Sequence, residues 1–109
     1  MNPLEKKLLH HETGGAEPRL CLRTRIDAGR WWRRTPVWLC VMDAEVVVMA
    51  VARRRYLERI PLADCRDSHY AAATGELILE PGGEKLRHSK LALSVGDALR
   101  ALHLLTNDS

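Results

Sequence analysis

Cys65-Arg66-Asp67-Ser68-His69 is the densest run of side chains capable of nucleophilic or acid–base chemistry. A cysteine nucleophile needs an exposed thiolate and a base in contact with it. Read as an extended strand, the run puts Cys65, Asp67 and His69 on one face and Ser68 on the other. Residues four apart on a strand lie about 13 Å apart at Cα, too far for direct proton transfer. The run therefore reads as sheet surface, no catalytic residue is assigned, and the chain is not expected to be an enzyme. His10-His11-Glu12 offers metal ligands, but His69, His88 and His103 are scattered and supply no second cluster. Cys21, Cys40 and Cys65 lack Cys-x-x-Cys spacing, so neither a metal site nor a cofactor is expected. All three fall in strand-like segments and read as buried, reduced thiols of a cytoplasmic protein. Gly82-Gly83 sits between strand-like segments and opens no helix, so it is not a phosphate-binding loop.

A second set of residues concerns binding. Gly29-Arg30-Trp31-Trp32-Arg33-Arg34 joins two stretches that both read as strands. Two adjacent indoles on a hairpin connection are costly to leave in water unless something covers them. The cover is the domain's own end, with an arginine stacked on one ring, a protein surface, a membrane interface or nucleic-acid bases. Trp38, in mid-strand, reads as core. Arg53-Arg54-Arg55 is a second basic run, either an anion cradle or a solvated hairpin tip.

The net charge of +3 is unevenly spread. Residues 19–34 hold six arginines against Asp27, residues 53–59 hold four against Glu58, and Lys85, Arg87 and Lys90 face only Glu84. The remainder of the chain is net negative. Concentrated positive charge suits anion recognition. Most of the 17 basic residues are arginine, which makes planar bidentate contacts with carboxylates and phosphates.

Elements that could position these groups follow from the pattern. The 109 residues, 46% of them hydrophobic and none of them Phe, suffice for one small core. The longest apolar run, Val46 to Ala52, is far short of a membrane span, and the charged N-terminus does not read as a secretory signal. Asn2, Pro3 and Glu5 form a helix start. Leu4, Leu8 and His11 make a narrow stripe, and Gly14-Gly15 stops the helix. Arg19 to Ile26 alternates, with Leu20, Leu22, Thr24 and Ile26 on one face and Arg19, Cys21, Arg23 and Arg25 on the other. Val37 to Met42 and Glu45 to Val51 are continuous apolar runs joined by a tight turn at Asp43-Ala44. Tyr56 to Ile60, Asp64 to Ala72, Glu76 to Glu80 and Lys85 to Leu93 complete seven strands. Ser94 caps a final helix, 94–106, whose apolar face is Val95, Ala98, Leu99, Leu102 and Leu105. The expected fold is mainly β, a small antiparallel barrel capped by that helix.

From Val37 to Leu105 the chain resembles the pleckstrin-homology-like (PH-like) superfold in its bacterial or GRAM-like form. Val41-Met42-Asp43 with Val46-Val47-Val48 is similar to a strand–turn–strand of those domains. Glu58-Arg59-Ile60-Pro61-Leu62 resembles their Ile-Pro-Leu step, and Gly75-Glu76-Leu77-Ile78-Leu79 the strand after it. The resemblance implies a seven-stranded barrel of two near-orthogonal sheets with a helix across one end. The domain would span 19–109, behind a helical extension at 1–18. It also implies a binding scaffold without catalysis. In members that bind phosphoinositides the loop after the first strand is basic; here Arg23, Arg25, Arg30, Arg33 and Arg34 occupy that region, without the usual lysines. In a meander the connections after strands one and three share an end, which would bring Arg30, Trp31, Trp32, Arg33 and Arg34 near Arg53, Arg54 and Arg55. The expected function is binding of a protein partner, or of a second copy, through this end. The alternatives are an anionic lipid headgroup at the same end, and a small-ligand carrier or enzyme using the barrel interior. Nucleic acid ranks last among the partners.

Overall fold

Asn2 and Glu5 cap the first helix reciprocally in the computed structural model, which describes residues 2–25, 37–51, 55–86 and 89–106. The Asn2 side chain accepts from the Glu5 N–H at 2.8 Å, and Glu5 Oε1 accepts from the Asn2 N–H at 2.9 Å. With Pro3 in the first turn, this starts α1 (Pro3–Glu12). The buried stripe is Glu5, Leu8 and Leu9. Leu4 is 64% exposed and His11 is exposed, so the stripe expected from Leu4, Leu8 and His11 is rotated toward Leu9.

Four strands follow, β1 (Leu20–Thr24), β2 (Val37–Val41), β3 (Glu45–Val51) and β4 (Arg55–Pro61), in an antiparallel sheet of order β1-β2-β3-β4. Leu22, Leu39, Val48 and Ile60 face the main core. Cys40, Met42, Val47 and Met49 face the other way, where Leu8 and Leu9 of α1 cover them. A strand covered on both faces needs apolar residues at every position, which accounts for the unbroken runs in β2 and β3. Trp38 belongs to this outer layer and is half-buried, not part of the main core. Its indole N–H donates to Glu5 Oε2 at 2.6 Å. Arg59 on β4 holds the other end of α1, donating to the Glu12 carbonyl at 2.8 Å while its guanidinium pairs with both oxygens of Glu45. Met42 N–H donates to the Glu45 carbonyl at 2.8 Å, closing the Asp43-Ala44 turn without a positive φ at either residue. The turn is therefore not a primed type, which is why alanine is tolerated there.

The second sheet is smaller, with β5 (His69–Ala71), β6 (Glu76–Ile78) and β7 (Lys90–Ala92) in the order β5-β6-β7. These strands are shorter than the pattern suggests. Residues Leu62–Cys65 and Gly82–Lys85 wind into 3-10 turns, taking Cys65 and Lys85 out of the expected strands. The two turns pack together, and Lys85 Nζ lies 3.2 Å from Asp64 Oδ2. Among the described residues the sheets meet at a single bridge between Arg25 and Ala92, and Thr24 Oγ1 donates to the Ala92 carbonyl at 2.9 Å. The seven strands do not form the closed barrel expected from the sequence. Three-residue strands leave too few ladder positions to seal the seams.

Ser94 Oγ accepts from the Asp97 N–H at 3.2 Å at the start of α2 (Val95–Thr106). Ala98, Ala101 and Leu105 are buried, and the helix packs on β5, β2 and the Leu62–Cys65 turn. Val95 is 57% and Leu99 59% exposed. Of the expected face, Ala98, Leu102 and Leu105 pack against the core while Val95 and Leu99 do not: the buried face is rotated toward Ala101, where small side chains permit close approach.

Three substitutions test this packing. A Cβ on Gly82 would stand 2.7 Å from both Asp64 Cβ and Ile60 Cδ1. Gly82→Ala should therefore cost about 1–3 kcal/mol in urea unfolding. Gly96→Ala, in open space within α2, should be neutral or stabilising by up to about 1 kcal/mol. Glu5→Leu leaves the Trp38 and Asn2 N–H groups without their acceptor and should cost about 1–3 kcal/mol in the same assay.

Candidate functional site

The outer face of the four-stranded sheet can be followed row by row from the strand register. Past the opposed pair Glu45 and Pro61 beside the Asp43-Ala44 turn, one row runs Cys21, Cys40, Val47, Arg59, and the next runs Arg23, Trp38, Met49, Leu57. Beyond it lie Arg25, two residues past Arg23, and the opposed pair Val51 and Arg55. Leu8 and Leu9 of α1 cover the first of these rows and reach Met49 in the second. Farther along, Trp38, Val51 and Leu57 are half-buried, while Arg23, Arg25 and Arg55 are exposed. An apolar strip flanked by arginines results.

Arg23, Arg25 and Arg55 are the sequence-assigned residues that the described structure contains. Arg25 and Arg55 sit at the same end of the sheet but on its two edge strands, about 14 Å apart by strand spacing. The register puts the ends of β1 and β3, and the starts of β2 and β4, together there. Both connections, 26–36 and 52–54, therefore leave from that end. Arg30, Trp31, Trp32, Arg33, Arg34, Arg53 and Arg54 lie outside the described residues. Arg59, part of the same basic segment, is engaged with Glu45 and the Glu12 carbonyl.

The Cys65-to-His69 run is not one strand. Cys65 lies in a 3-10 turn and is fully buried, while Asp67 and His69 are exposed. Burial, with the Asp64 charge adding to it, pushes the Cys65 thiol up to about 11. Ser68 is buried, and its hydroxyl accepts from the Glu80 N–H at 3.1 Å. Among the described residues no group of three His, Cys, Asp or Glu side chains converges on a metal position.

A second cluster is not apparent in the sequence. Cys21 and Cys40 are directly opposed on β1 and β2, and their sulfurs lie 3.4 Å apart. Cys21 opens into a cavity of about 510 Å³ between α1, residues 16–18 and the sheet. Leu9 and Trp38 wall it, and Lys6, His10 and Glu17 line it with polar groups. The hydrogen bond between the two thiols holds the Cys21 thiol below its ordinary range, against the opposing effect of burial. The same bond, reinforced by burial, drives Cys40 upward. The outer sulfur is favoured over the inner one for ionisation, and it is also the one that the cavity exposes.

Comparison with protein-family models, with curated proteins and with solved structures finds no match.

Thiol labelling reports this arrangement directly. Thiolate fraction rises with pH, so a depressed thiol reacts at lower pH than a raised one. Iodoacetamide should modify Cys21 first, with a rate–pH midpoint below that of a free thiol, while the Cys65 rate is still climbing near pH 10. Equal labelling of Cys21 and Cys65 at pH 8 would contradict the geometry.

Proposed function

We propose that this chain is an interaction module of the PH-like type, without catalytic activity of its own. It binds an acidic protein surface through the basic, Trp-bearing end of its larger sheet. The observation that carries the reading is the half-buried strip of Trp38, Val51 and Leu57 beside exposed Arg23, Arg25 and Arg55, at the end from which residues 26–36 and 52–54 depart. An apolar centre with an arginine rim is the composition of a protein-binding patch. The arginines set orientation against carboxylates, and the apolar groups supply burial.

The PH-like reading draws support from the element order: a four-stranded antiparallel sheet, a three-stranded one and a closing helix. Near-orthogonal crossing of the sheets belongs to the same proposal. A second copy of the chain is a fitting partner, because residues 19–34 and 53–59 hold a large share of the positive charge and the remainder of the sequence is net negative.

Sedimentation velocity over a range of concentrations tests this. The wild-type chain should show a mass that grows with concentration, and Trp31→Ala combined with Trp32→Ala should return it to a monomer. A wild-type monomer at every concentration, with both indoles shielded from iodide quenching, would overturn the reading. Cosedimentation of that monomer with phosphatidylserine vesicles, fading with salt, would replace it with a lipid-headgroup function.

A further inference from the structure

We propose that Cys21 and Cys40 are a peroxide-reactive dithiol, reached through the cavity beneath α1, that closes to a disulfide across β1 and β2. The inference is independent of the partner-binding reading, since it rests on the two sulfurs and their cavity and not on the arginines of the neighbouring rows.

Three observations carry it. The residues are direct cross-strand partners, so their Cα atoms are about 4.5–5.5 Å apart. That separation falls inside the range that disulfides span. The sulfurs already lie 3.4 Å from each other, and side-chain rotation can bring them to bonding distance without moving the strands. The exposures are divided in the way such chemistry requires: Cys21 is half-buried at the cavity wall, and Cys40 is fully buried behind it. An oxidant therefore meets Cys21, and Cys40 reacts only through it.

The reaction balances as follows. The Cys21 thiolate attacks the terminal oxygen of a hydroperoxide, ROOH. A sulfur–oxygen bond forms, the oxygen–oxygen bond breaks, and RO⁻ leaves to take up the proton that Cys21 released, giving ROH. Cys21 is now a sulfenic acid. The Cys40 sulfur attacks the Cys21 sulfur. The sulfur–sulfur bond forms, the sulfur–oxygen bond breaks, and the departing hydroxide takes the Cys40 proton as water. Two thiols have lost two electrons and the peroxide has gained them. A thiol reductant reverses the closure by exchange. Cys65 provides an internal standard. It is buried in the main core, on the other side of the sheet, and has no cysteine beside it.

The experiment treats the full chain with equimolar hydrogen peroxide, blocks residual thiols under denaturing conditions and maps tryptic peptides. The expected product joins the peptide containing Cys21 (20–23) to that containing Cys40 (35–53), with loss of two hydrogens. Cys65 stays a free thiol and oxidises more slowly than Cys21 by more than about tenfold. Cys40→Ser should stop Cys21 at the sulfenic acid, which dimedone traps; Cys40→Ala serves if serine disturbs folding. Oxidation of Cys65 at the rate of Cys21, a bond from Cys21 to anything other than Cys40 of the same chain, or a Cys21 that stays reduced would each overturn the proposal.

Discussion

The carboxylate of Glu5 connects the two layers of this molecule. One oxygen closes the helix cap on Asn2, and the other accepts the indole N–H of Trp38 on β2. The constraint behind this bond is compositional. β2 and β3 are apolar on both faces, so the sheet needs a cover on each side. The small sheet and α2 cover one side, and α1 covers the other. A ten-residue helix has little stability alone. It is fastened near its start by Glu5 and at its end by Arg59, and its two leucines fill the space between. Glu5 is 2% exposed, and each oxygen has a donor, which is the condition for keeping a carboxylate out of water.

This cover is partial, and its partiality gives the outer face its character. At one end α1 shields the dithiol but leaves a cavity at Cys21. At the other it leaves Trp38, Val51 and Leu57 half-buried beside three arginines. The two regions share Trp38, whose ring walls the cavity and belongs to the strip. The two thiols and the strip therefore occupy neighbouring rows of one sheet.

Local signals were legible in the sequence and long-range ones were not. Asn2, Pro3 and Glu5 announce a helix start because a cap is made within three residues. The alternation of Leu20, Leu22 and Thr24 marks β1 because strand parity is local. The second contact of Glu5 spans 33 residues, and no pattern near position 5 encodes it. Trp38 reads as core from its mid-strand position, yet the apolar residues on either side of it signal a strand covered twice. The small sheet is shorter than its pattern suggests because Cys65, Gly82 and Gly83 are buried in 3-10 turns, where burial has no period of two. Closure of the barrel failed for the same reason. Cys21 and Cys40 are equidistant from the junction of Arg30 and Trp31, so a symmetric hairpin would have paired them. Connection length alone does not set register, and a slip of one residue would have put the two thiols on opposite faces.

The central claim is that α1 lies on the outer face of the sheet with Glu5 on the Trp38 indole. Amide and indole NMR of the full chain, with the Trp38 Nε1–H resonance assigned, measures it most directly. The account predicts a Trp38 indole proton that exchanges slowly with solvent and shows nuclear Overhauser effects to α1 side chains. An indole proton that exchanges as fast as free tryptophan and shows no effect to α1 would contradict it.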